Sequence, residues 1–403
     1  MNTYEAVSDV ISAAVERNAR CVIELSHALH ADPELGGAEF RAVERVRAIL
    51  EAHEFRFPER QPQAPTAFCA TIGTGELTVA LCIEYDALPG IGHGCGHNVN
   101  GAAAVAAALA LAAVADKLDI TVKVLGTPAE ETTGGKVELI REGYFEDVSL
   151  AMMAHASSSD AVGATSLALS AWEVRYSGVA AHAAVAPSAG INALDGLVVA
   201  QTAIGLARQQ LPLGSIVSLV VLEGGSAANI IPDNARALVE MRAPSATTLA
   251  RVQRKVRDCL EAGAKASGAE LELRQMGNDF ADLKQDTFLS EAYRIAMTHR
   301  GRDVRWEHEP TASTDMGNVS HVTATIHPLV GYEVCGAVPH TTSFAEHGAS
   351  PSADQAIVDA AYGLAMAAAA GALNNEQRRR YLHRVTTQLE EHDKIVADPL
   401  RAI

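Results

Sequence analysis

Helical periodicity runs through the first fifty residues of the chain. Apolar positions recur at helical spacing over residues 4–53, and the pattern is interrupted at 30–36. Pro33 cannot occupy a helix interior and the Gly36-Gly37 pair favours a turn. We therefore predict two helices joined by a loop.

Apolar runs of strand length follow. Residues 78–83 and 120–125 are continuous apolar runs typical of buried strands, and the alanine-rich segment 102–117 between them predicts a helix. A third strand is expected at 148–154. Strand, helix and strand in this order predict an α/β domain with a central, mostly parallel sheet.

From residue 168 onward the pattern changes to strands that alternate with helices in the order β-α-β-β-α-β. This order is typical of a ferredoxin-like α+β fold. We predict a catalytic domain formed by residues 1–167 and 282–403, with residues 168–281 inserted as a second domain. The predicted elements of the insertion are strands at 169–176, 215–222 and 235–242 and helices at 191–209 and 245–268.

Charge and composition disfavour nucleic acids and membranes as partners. The net charge of −17 disfavours nucleic-acid binding, which depends on clustered Lys and Arg. The Arg378-Arg379-Arg380 run lies in a polar segment and is interpreted as a solvated helix face, and the role of the chain after residue 373 stays open. We expect no membrane partner, because the sequence shows no secretory signal and no uncharged apolar run of about 20 residues. The six scattered cysteines fit a reducing compartment, so the cytoplasm is the expected location.

Metal-binding residue types follow the predicted strands. Loops at the carboxyl ends of parallel strands collect functional groups. Five side chains, enough to hold two bridged cations, are the candidate ligands: Cys95, His97, Glu131, His155 and His340. A lone Cys or His is more often a packing or surface residue. The Cys-Gly-His spacing, with glycine on both sides of Cys95, favours a metal site, and ligands spread over so many residues disfavour a closed structural zinc site.

Two acidic motifs complete the candidate chemistry. Glu130 and Glu131 are adjacent, so in an extended segment one carboxylate would bind metal while the other faces a bound water as general base. An exposed acidic loop is the alternative. Asp86 is expected to accept a hydrogen bond from a liganding histidine, and the alternative is a turn residue that ends a strand.

The order of these motifs resembles the aminoacylase and carboxypeptidase family of dinuclear metallopeptidases. The resemblance covers about residues 20–372. It implies a zinc-peptidase-like catalytic domain and an inserted lid domain that forms a homodimer. The motifs that carry it are Pro33-Glu34-Leu35-Gly36 with Glu39, Asp86-Ala87-Leu88-Pro89, Gly94-Cys95-Gly96-His97, Glu130-Glu131, Gly178 with Ala181-His182-Ala183, Asn229 with Ile231-Pro232, and His340-Thr341 with Phe344.

The resemblance also implies roles for individual residues. The five candidate ligands would hold two divalent ions per subunit, zinc, manganese, cobalt or nickel, with Glu130 as general base. His182 matches a lid histidine that stabilises an oxyanion, while Asn229 and Arg242 match lid positions that contact a substrate carboxylate. A surface histidine and two structural residues are the alternatives.

The sequence therefore predicts a cytoplasmic metal-dependent amidohydrolase or peptidase that acts on a small molecule. His97-Asn98-Val99-Asn100 and Ser313-Thr314-Asp315-Met316-Gly317 are similar to the branch that contains p-aminobenzoyl-glutamate hydrolases and β-alanyl-dipeptide hydrolases. The expected substrate is an N-acyl amino acid or an unusual dipeptide. A hydrolytic deaminase acting on an aromatic amine and an inactive metal-bound binding protein are the rival hypotheses.

Overall fold

The computed structural model describes residues 3–397, without the side chains of residues 311 and 388–397. The chain divides into two compact units. Unit 1 contains the chain up to Thr165, Leu283–Pro310 and the chain from Asp315 onward, and unit 2 contains Ser166–Asp282 and Thr311–Thr314.

The first part of unit 1 builds most of its central sheet. The two predicted N-terminal helices are present, and the predicted 102–117 helix begins earlier and is divided in two. The elements are α1 Thr3–Ala31, α2 Phe40–Ala52, β1 Phe68–Ile72, β2 Leu77–Ile83, α3 His97–Ala112, α4 Ala115–Leu118, β3 Ile120–Gly126, α5 Gly135–Arg141, β4 Leu150–Met152, β5 His155–Ser157, β6 Ala161–Val162 and β7 Thr165–Ser166.

Unit 2 has the predicted β-α-β-β-α-β order. Its antiparallel sheet has the strand order β10-β12-β8-β13, and helices α6 and α7 pack on one face around an apolar core. The elements are β8 Ala168–Ser177, β9 Ala181–His182, a 3₁₀ turn Pro187–Ala189, α6 Ala193–Ala207, a 3₁₀ turn Arg208–Gln210, β10 Ile216–Glu223, β11 Ile230–Ile231, β12 Asn234–Ala243, α7 Ala246–Ser267 and β13 Glu270–Gln275.

The chain then completes unit 1. The central sheet has the order β1-β3-β2-β4-β16, in which β2, β3, β4 and β16 are parallel and only β1 is antiparallel. The predicted α/β class with a mostly parallel sheet and a ferredoxin-like insertion is confirmed. The remaining elements are α8 Thr287–His299, β14 Arg305–Trp306, β15 Pro310–Ala312, α9 Met316–Val322, β16 Ala324–Ile326, β17 Leu329–Gly331, α10 Thr342–Glu346, α11 Pro351–Leu373 and α12 Asn375–Ala397.

Two alanine-rich helices form the centre of unit 1. Helix α3 packs against α1 and α11, and its small side chains allow close approach. Helix α11 is long and apolar enough to cross a membrane, but 89% of its most apolar window is buried inside the protein. Its composition is therefore explained by a core position.

The arginine run at the start of α12 matches its prediction in part, because Arg379 and Arg380 are exposed and Arg378 is not. Arg378 is not on a solvated face, because its guanidinium donates to the Leu118 carbonyl and to the Asp119 carboxylate. Arg380 pairs with Asp286. These contacts attach the beginning of α12 to the body of unit 1.

Candidate metal centre

The loop between β2 and α3 carries two of the predicted ligands. Gly92 and Gly96 have φ angles of 80° and 75°, in the left-handed region that glycine adopts without strain. A Cβ atom at Gly96 would lie 2.3 Å from the Cβ of Ala156. Cys95 stands between these glycines, and His97 begins α3, so the glycines permit the tight path that places both side chains on one side.

The segment that carries the two glutamates is a turn, which corrects the expectation of an extended strand. Ala129 has a φ of 58°, and its carbonyl accepts hydrogen bonds from three successive N–H groups, residues 132–134. The turn directs both carboxylates to the same atom. Glu130 Oε2 lies 4.0 Å and Glu131 Oε1 3.9 Å from His97 Nε2. The two side chains therefore do not point to opposite sides.

The structure brings the five predicted ligands into one cluster. Ligand atoms of Cys95, His97 and His155 lie within 4.8 Å of one another, and so do those of Cys95, Glu131 and His340. Cys95 Sγ is 3.6 Å from His155 Nε2, and His340 Nε2 is 3.7 Å from Glu131 Oε1. A thiolate about 2.3 Å and an imidazole about 2.05 Å from one tetrahedral cation are separated by about 3.6 Å. The Cys95–His155 distance therefore suits a shared ion.

Asp86 connects the two segments that carry ligands. Its Oδ1 lies 2.9 Å from His97 Nδ1, and its Oδ2 accepts a hydrogen bond from the backbone N–H of Glu131 at 3.0 Å. The Asp86 carbonyl oxygen is also 2.9 Å from His97 Nδ1. With two acceptors facing it, Nδ1 carries a proton, and Nε2 is the nitrogen that is available to a metal ion.

A network of buried charged side chains, which the sequence analysis did not predict, lies beside this cluster. The Lys136 ammonium donates to Glu84 Oε1 and to Asp315 Oδ1, both at 2.6 Å, and all three side chains are fully buried. Asn100 Nδ2 donates to Glu84 Oε2 at 3.2 Å. The available signals were charged residues in apolar surroundings: Glu84 at the end of a buried strand and Lys136 after a Gly-Gly pair.

His327 is a second residue that the sequence did not indicate. Its ring centroid lies 5.3 Å from that of His155, and Nε2 is buried with no hydrogen-bond partner among the described residues. Burial and the neighbouring His155 lower the pKa of His327 to about 3, so this ring is neutral.

Negative charge dominates the electrostatics of the cluster. Burial, followed by the Glu84 and Asp315 carboxylates, raises the pKa of Glu130 well above its usual range. Burial also raises the pKa of the Cys95 thiol. Burial opposes ionisation of Glu84, but Lys136 and then His97 hold its pKa below the ordinary value. Several carboxylates thus surround one lysine, an imbalance that bound cations would neutralise.

The residues present fit a metal ion. His97 Nε2 and Glu131 Oε1 are buried and have no hydrogen-bond partner within the described part of the chain. Buried polar atoms are normally satisfied. Both belong to the donor types that bind zinc and related divalent ions, so a cation would supply the missing partner for each.

The remaining predicted site residues lie in unit 2. His182 on β9 pairs in register with Ile230 on β11, and the N–H of Ala183 donates to the Asn229 carbonyl, so His182 and Asn229 are neighbours in one ribbon. Both are exposed. Arg242 donates to Glu240 and to Ser313 Oγ. Their roles stay predictions.

The chain is similar in sequence to several known proteins. A family described as "Peptidase dimerisation domain" matches residues 168–267. The Xaa-Arg dipeptidase of Mus musculus is 36% identical over 374 residues, which cover 85% of this chain and 84% of that protein. A p-aminobenzoyl-glutamate hydrolase component of Escherichia coli (strain K12) is 29% identical over 323 residues, covering 75% and 67%.

The fold is also found in solved structures, of which two are described here. A dinuclear metal-binding peptidase of the M20 family from Bacillus subtilis superposes with a TM-score of 0.66 at 20% identity, covering 89% of this chain and 98% of that chain. An aminobenzoyl-glutamate utilization protein from Klebsiella pneumoniae gives a TM-score of 0.67 at 20% identity, covering 88% and 96%.

Proposed function

The chain belongs to the M20 peptidase family, the aminoacylase and carboxypeptidase family of dinuclear metallopeptidases, and we propose that it hydrolyses dipeptides whose C-terminal residue is basic. It is a metal-dependent hydrolase of C–N bonds. The basic residue is supported by the relatives named Xaa-Arg dipeptidase, 36% and 34% identical. The net charge of −17 favours a cationic substrate as well.

The main support for this function is the convergence of the predicted metal ligands. Five side chains from distant parts of unit 1 meet in a single cluster, and two of their ligand atoms, His97 Nε2 and Glu131 Oε1, are buried without a partner among the described residues. Buried ligand atoms that stay without a partner are destabilising. Binding of cations is the simplest physical reason for its assembly.

The proposed mechanism assigns the proton transfers to Glu130. Two divalent ions in this site would act as Lewis acids and lower the pKa of a nearby water to about 7. Glu130 accepts a proton from the attacking water as the new C–O bond forms. It then delivers that proton to the leaving nitrogen as the C–N bond breaks. Asp86 fixes the tautomer and orientation of His97 through its 2.9 Å contact.

Unit 2 is proposed to serve as a lid and dimerisation domain. We assign His182 to oxyanion stabilisation, and Asn229 and Arg242 to the substrate carboxylate. Strand β10 supports a homodimer, because it is an edge strand and exposes Ile216, Val220, Val221 and Leu222. An exposed apolar edge of this kind is a template for pairing with a second copy.

The metals and the location are part of the same proposal. Cys95 favours zinc, cobalt or nickel, while the carboxylates also suit manganese. We propose the cytoplasm, because all six cysteines are free and no pair forms a disulfide.

The test combines metal analysis with a substrate screen. Purified protein, loaded in turn with zinc, manganese, cobalt or nickel, is incubated with dipeptides ending in Arg or Lys, dipeptides ending in neutral residues, N-acyl amino acids, p-aminobenzoyl-glutamate and aromatic amines. Mass spectrometry follows amide cleavage, and a separate assay detects ammonia. The expected result is metal-dependent cleavage that is fastest for the basic dipeptides.

Three other outcomes contradict the proposal in whole or in part. Ammonia release from aromatic amines without amide cleavage would identify a deaminase. Binding of a dipeptide without turnover in any metal form would identify a binding protein. Fastest cleavage of another amide would retain the hydrolase and reject only the basic substrate class.

A further inference from the structure

Three carboxylates surround His97 Nε2, the nitrogen that faces the cluster. The one that lies closest to it was not among the predicted ligands. Glu84 Oε2 lies 3.4 Å from His97 Nε2, compared with 3.9 Å for Glu131 Oε1 and 4.0 Å for Glu130 Oε2. Both Glu84 and His97 are fully buried. The cluster therefore gathers its carboxylate oxygens around this nitrogen.

Without a proton or a metal on Nε2, this nitrogen and the three carboxylates that surround it are all acceptors. The contact of His97 Nδ1 with Asp86 places a proton on Nδ1, so Nε2 is the nitrogen that faces Glu84 and can bind a metal. Two buried lone pairs that face each other at short range repel unless positive charge lies between them. Either a proton on Nε2 or a bound cation supplies that charge.

The distance between Glu84 Oε2 and His97 Nε2 distinguishes a proton on Nε2 from a bound cation. A charge-assisted N–H···O hydrogen bond spans about 2.7–2.9 Å, and His97 Nε2 has no hydrogen-bond partner among the described residues. Nitrogen and oxygen ligands about 2.05 Å from one tetrahedral ion are about 3.4 Å apart. The observed 3.4 Å between Glu84 Oε2 and His97 Nε2 matches the shared ion.

We propose that Glu84 is a further metal ligand, which contributes Oε2 to the ion held by His97 Nε2. This inference rests on the proposed metal-dependent function. Glu84 adds an oxygen donor to the half of the centre that contains His97. The other half contains Cys95 and His155, a sulfur and nitrogen pair 3.6 Å apart. The half with Glu84 then suits a harder ion such as manganese, and the half with Cys95 a softer one.

The surroundings of Glu84 hold its carboxylate in place for this role. Oε1 accepts from Lys136 Nζ at 2.6 Å, and Oε2 accepts from Asn100 Nδ2 at 3.2 Å. Lys136 is itself anchored by Asp315 at 2.6 Å. The carboxylate is thus oriented before an ion binds, which reduces the reorganisation that binding requires.

Asp315 provides a matched control for Glu84. Each is fully buried and accepts from Lys136 Nζ at the same distance, 2.6 Å. Only Glu84 has an ion-pair contact with His97. Glu84→Gln and Asp315→Asn each neutralise one partner of the Lys136 ammonium, and Asp315 also accepts from the Lys136 backbone N–H at 3.0 Å. Only Glu84→Gln alters the proposed ligand.

The experiment measures metal binding directly. Metal-free protein is titrated with Mn²⁺ and with Co²⁺, and the bound ions are counted after dialysis. Outer-sphere changes typically weaken metal affinity about 10–100-fold. We expect Glu84→Gln to weaken one of two ions by more than about 100-fold and to change the visible absorption of the Co²⁺ form. Asp315→Asn is expected to lose less than about 10-fold with an unchanged Co²⁺ spectrum.

A second variant keeps the test decisive if the amide disturbs folding. Glu84→Asp retains the charge but withdraws the carboxylate by one methylene, so it should also weaken one ion and alter the Co²⁺ spectrum. Equal metal affinities and identical Co²⁺ spectra for parent, Glu84→Gln and Glu84→Asp would overturn the proposal and favour a proton on His97. The outcome is independent of the substrate screen, because no turnover is measured.

Discussion

Replacing Lys136 with methionine should destabilise unit 1 strongly. The substitution removes the ammonium that lies 2.6 Å from both Glu84 and Asp315 and leaves two fully buried carboxylates without a counter-charge. Removing one partner of a buried ion pair costs about 3–5 kcal/mol. The methionine side chain has a similar volume, so the charge is the main change.

The expected shift in melting temperature follows from the size of unit 1. Unit 1 contains about 280 residues, and unfolding entropies near 2.1 cal/mol/K per residue give about 0.6 kcal/mol/K. A loss of 3–5 kcal/mol then lowers Tm by about 5–8 °C. Calorimetry of the metal-free protein in excess chelator isolates this effect from metal loss.

An exposed ion pair provides the control. Arg20 and Glu24 form a pair on α1 at 2.7 Å, with side chains 90% and 63% exposed. Surface pairs of this kind contribute at most about 1 kcal/mol, so Arg20→Met should shift Tm by less than about 2 °C. A Lys136→Met shift no larger than the Arg20→Met shift would show that Lys136 does not stabilise the two buried carboxylates. Adding Glu84→Gln and Asp315→Asn to Lys136→Met should restore part of the lost Tm, since neutral amides replace the unpaired carboxylates.

Four further outcomes are expected. Glu130→Gln should lower kcat by about 10²–10⁴-fold while bound metal stays at the parental level; an unchanged kcat would remove Glu130 as the base. A strong chelator should abolish hydrolysis, and one of the four divalent ions should restore it; hydrolysis that survives complete metal removal would argue against the centre. Val220→Lys on the exposed edge of β10 should convert a dimer to a monomer in light scattering, and a dimer that persists would place the interface elsewhere. A thiol reagent at pH 8 should modify exposed Cys335 first, because burial raises the pKa of Cys69 to about 11 and of Cys82 to about 12; rapid reaction of the buried pair would contradict their placement.

Local sequence patterns were sufficient to predict the fold class. Apolar runs of strand length and the helical segment between them predicted the parallel sheet, because burial on both faces requires continuous apolar strands. The boundaries were less predictable. Helix α3 begins at His97 rather than near residue 102, directly after Gly96, which adopts a left-handed conformation.

The candidate site was predictable where residue type and spacing carry the chemistry. Cys95 and His97 stand in a glycine-rich loop, and Asp86 lies at the 2.9 Å distance from His97 that its predicted hydrogen bond requires. The turn at Glu130 and Glu131 was not predictable, because it depends on the left-handed Ala129, whose N–H is held by the distant Glu39 carboxylate at 2.8 Å.

The buried charge network could not be predicted from the sequence alone. Lys136 is separated from Glu84 by 52 positions and from Asp315 by 179. A lysine and two acids at such separations carry no local signal, since charged residues are usually exposed. Only tertiary packing brings them together.

The proposed metal centre can be tested directly by an anomalous diffraction map from crystals of the metal-loaded protein, recorded at the absorption edge of the bound ion. We expect two strong peaks among Cys95, His97, Glu131, His155 and His340. A map with no peak in that cluster, or with the ions bound elsewhere in the chain, would contradict the proposed centre.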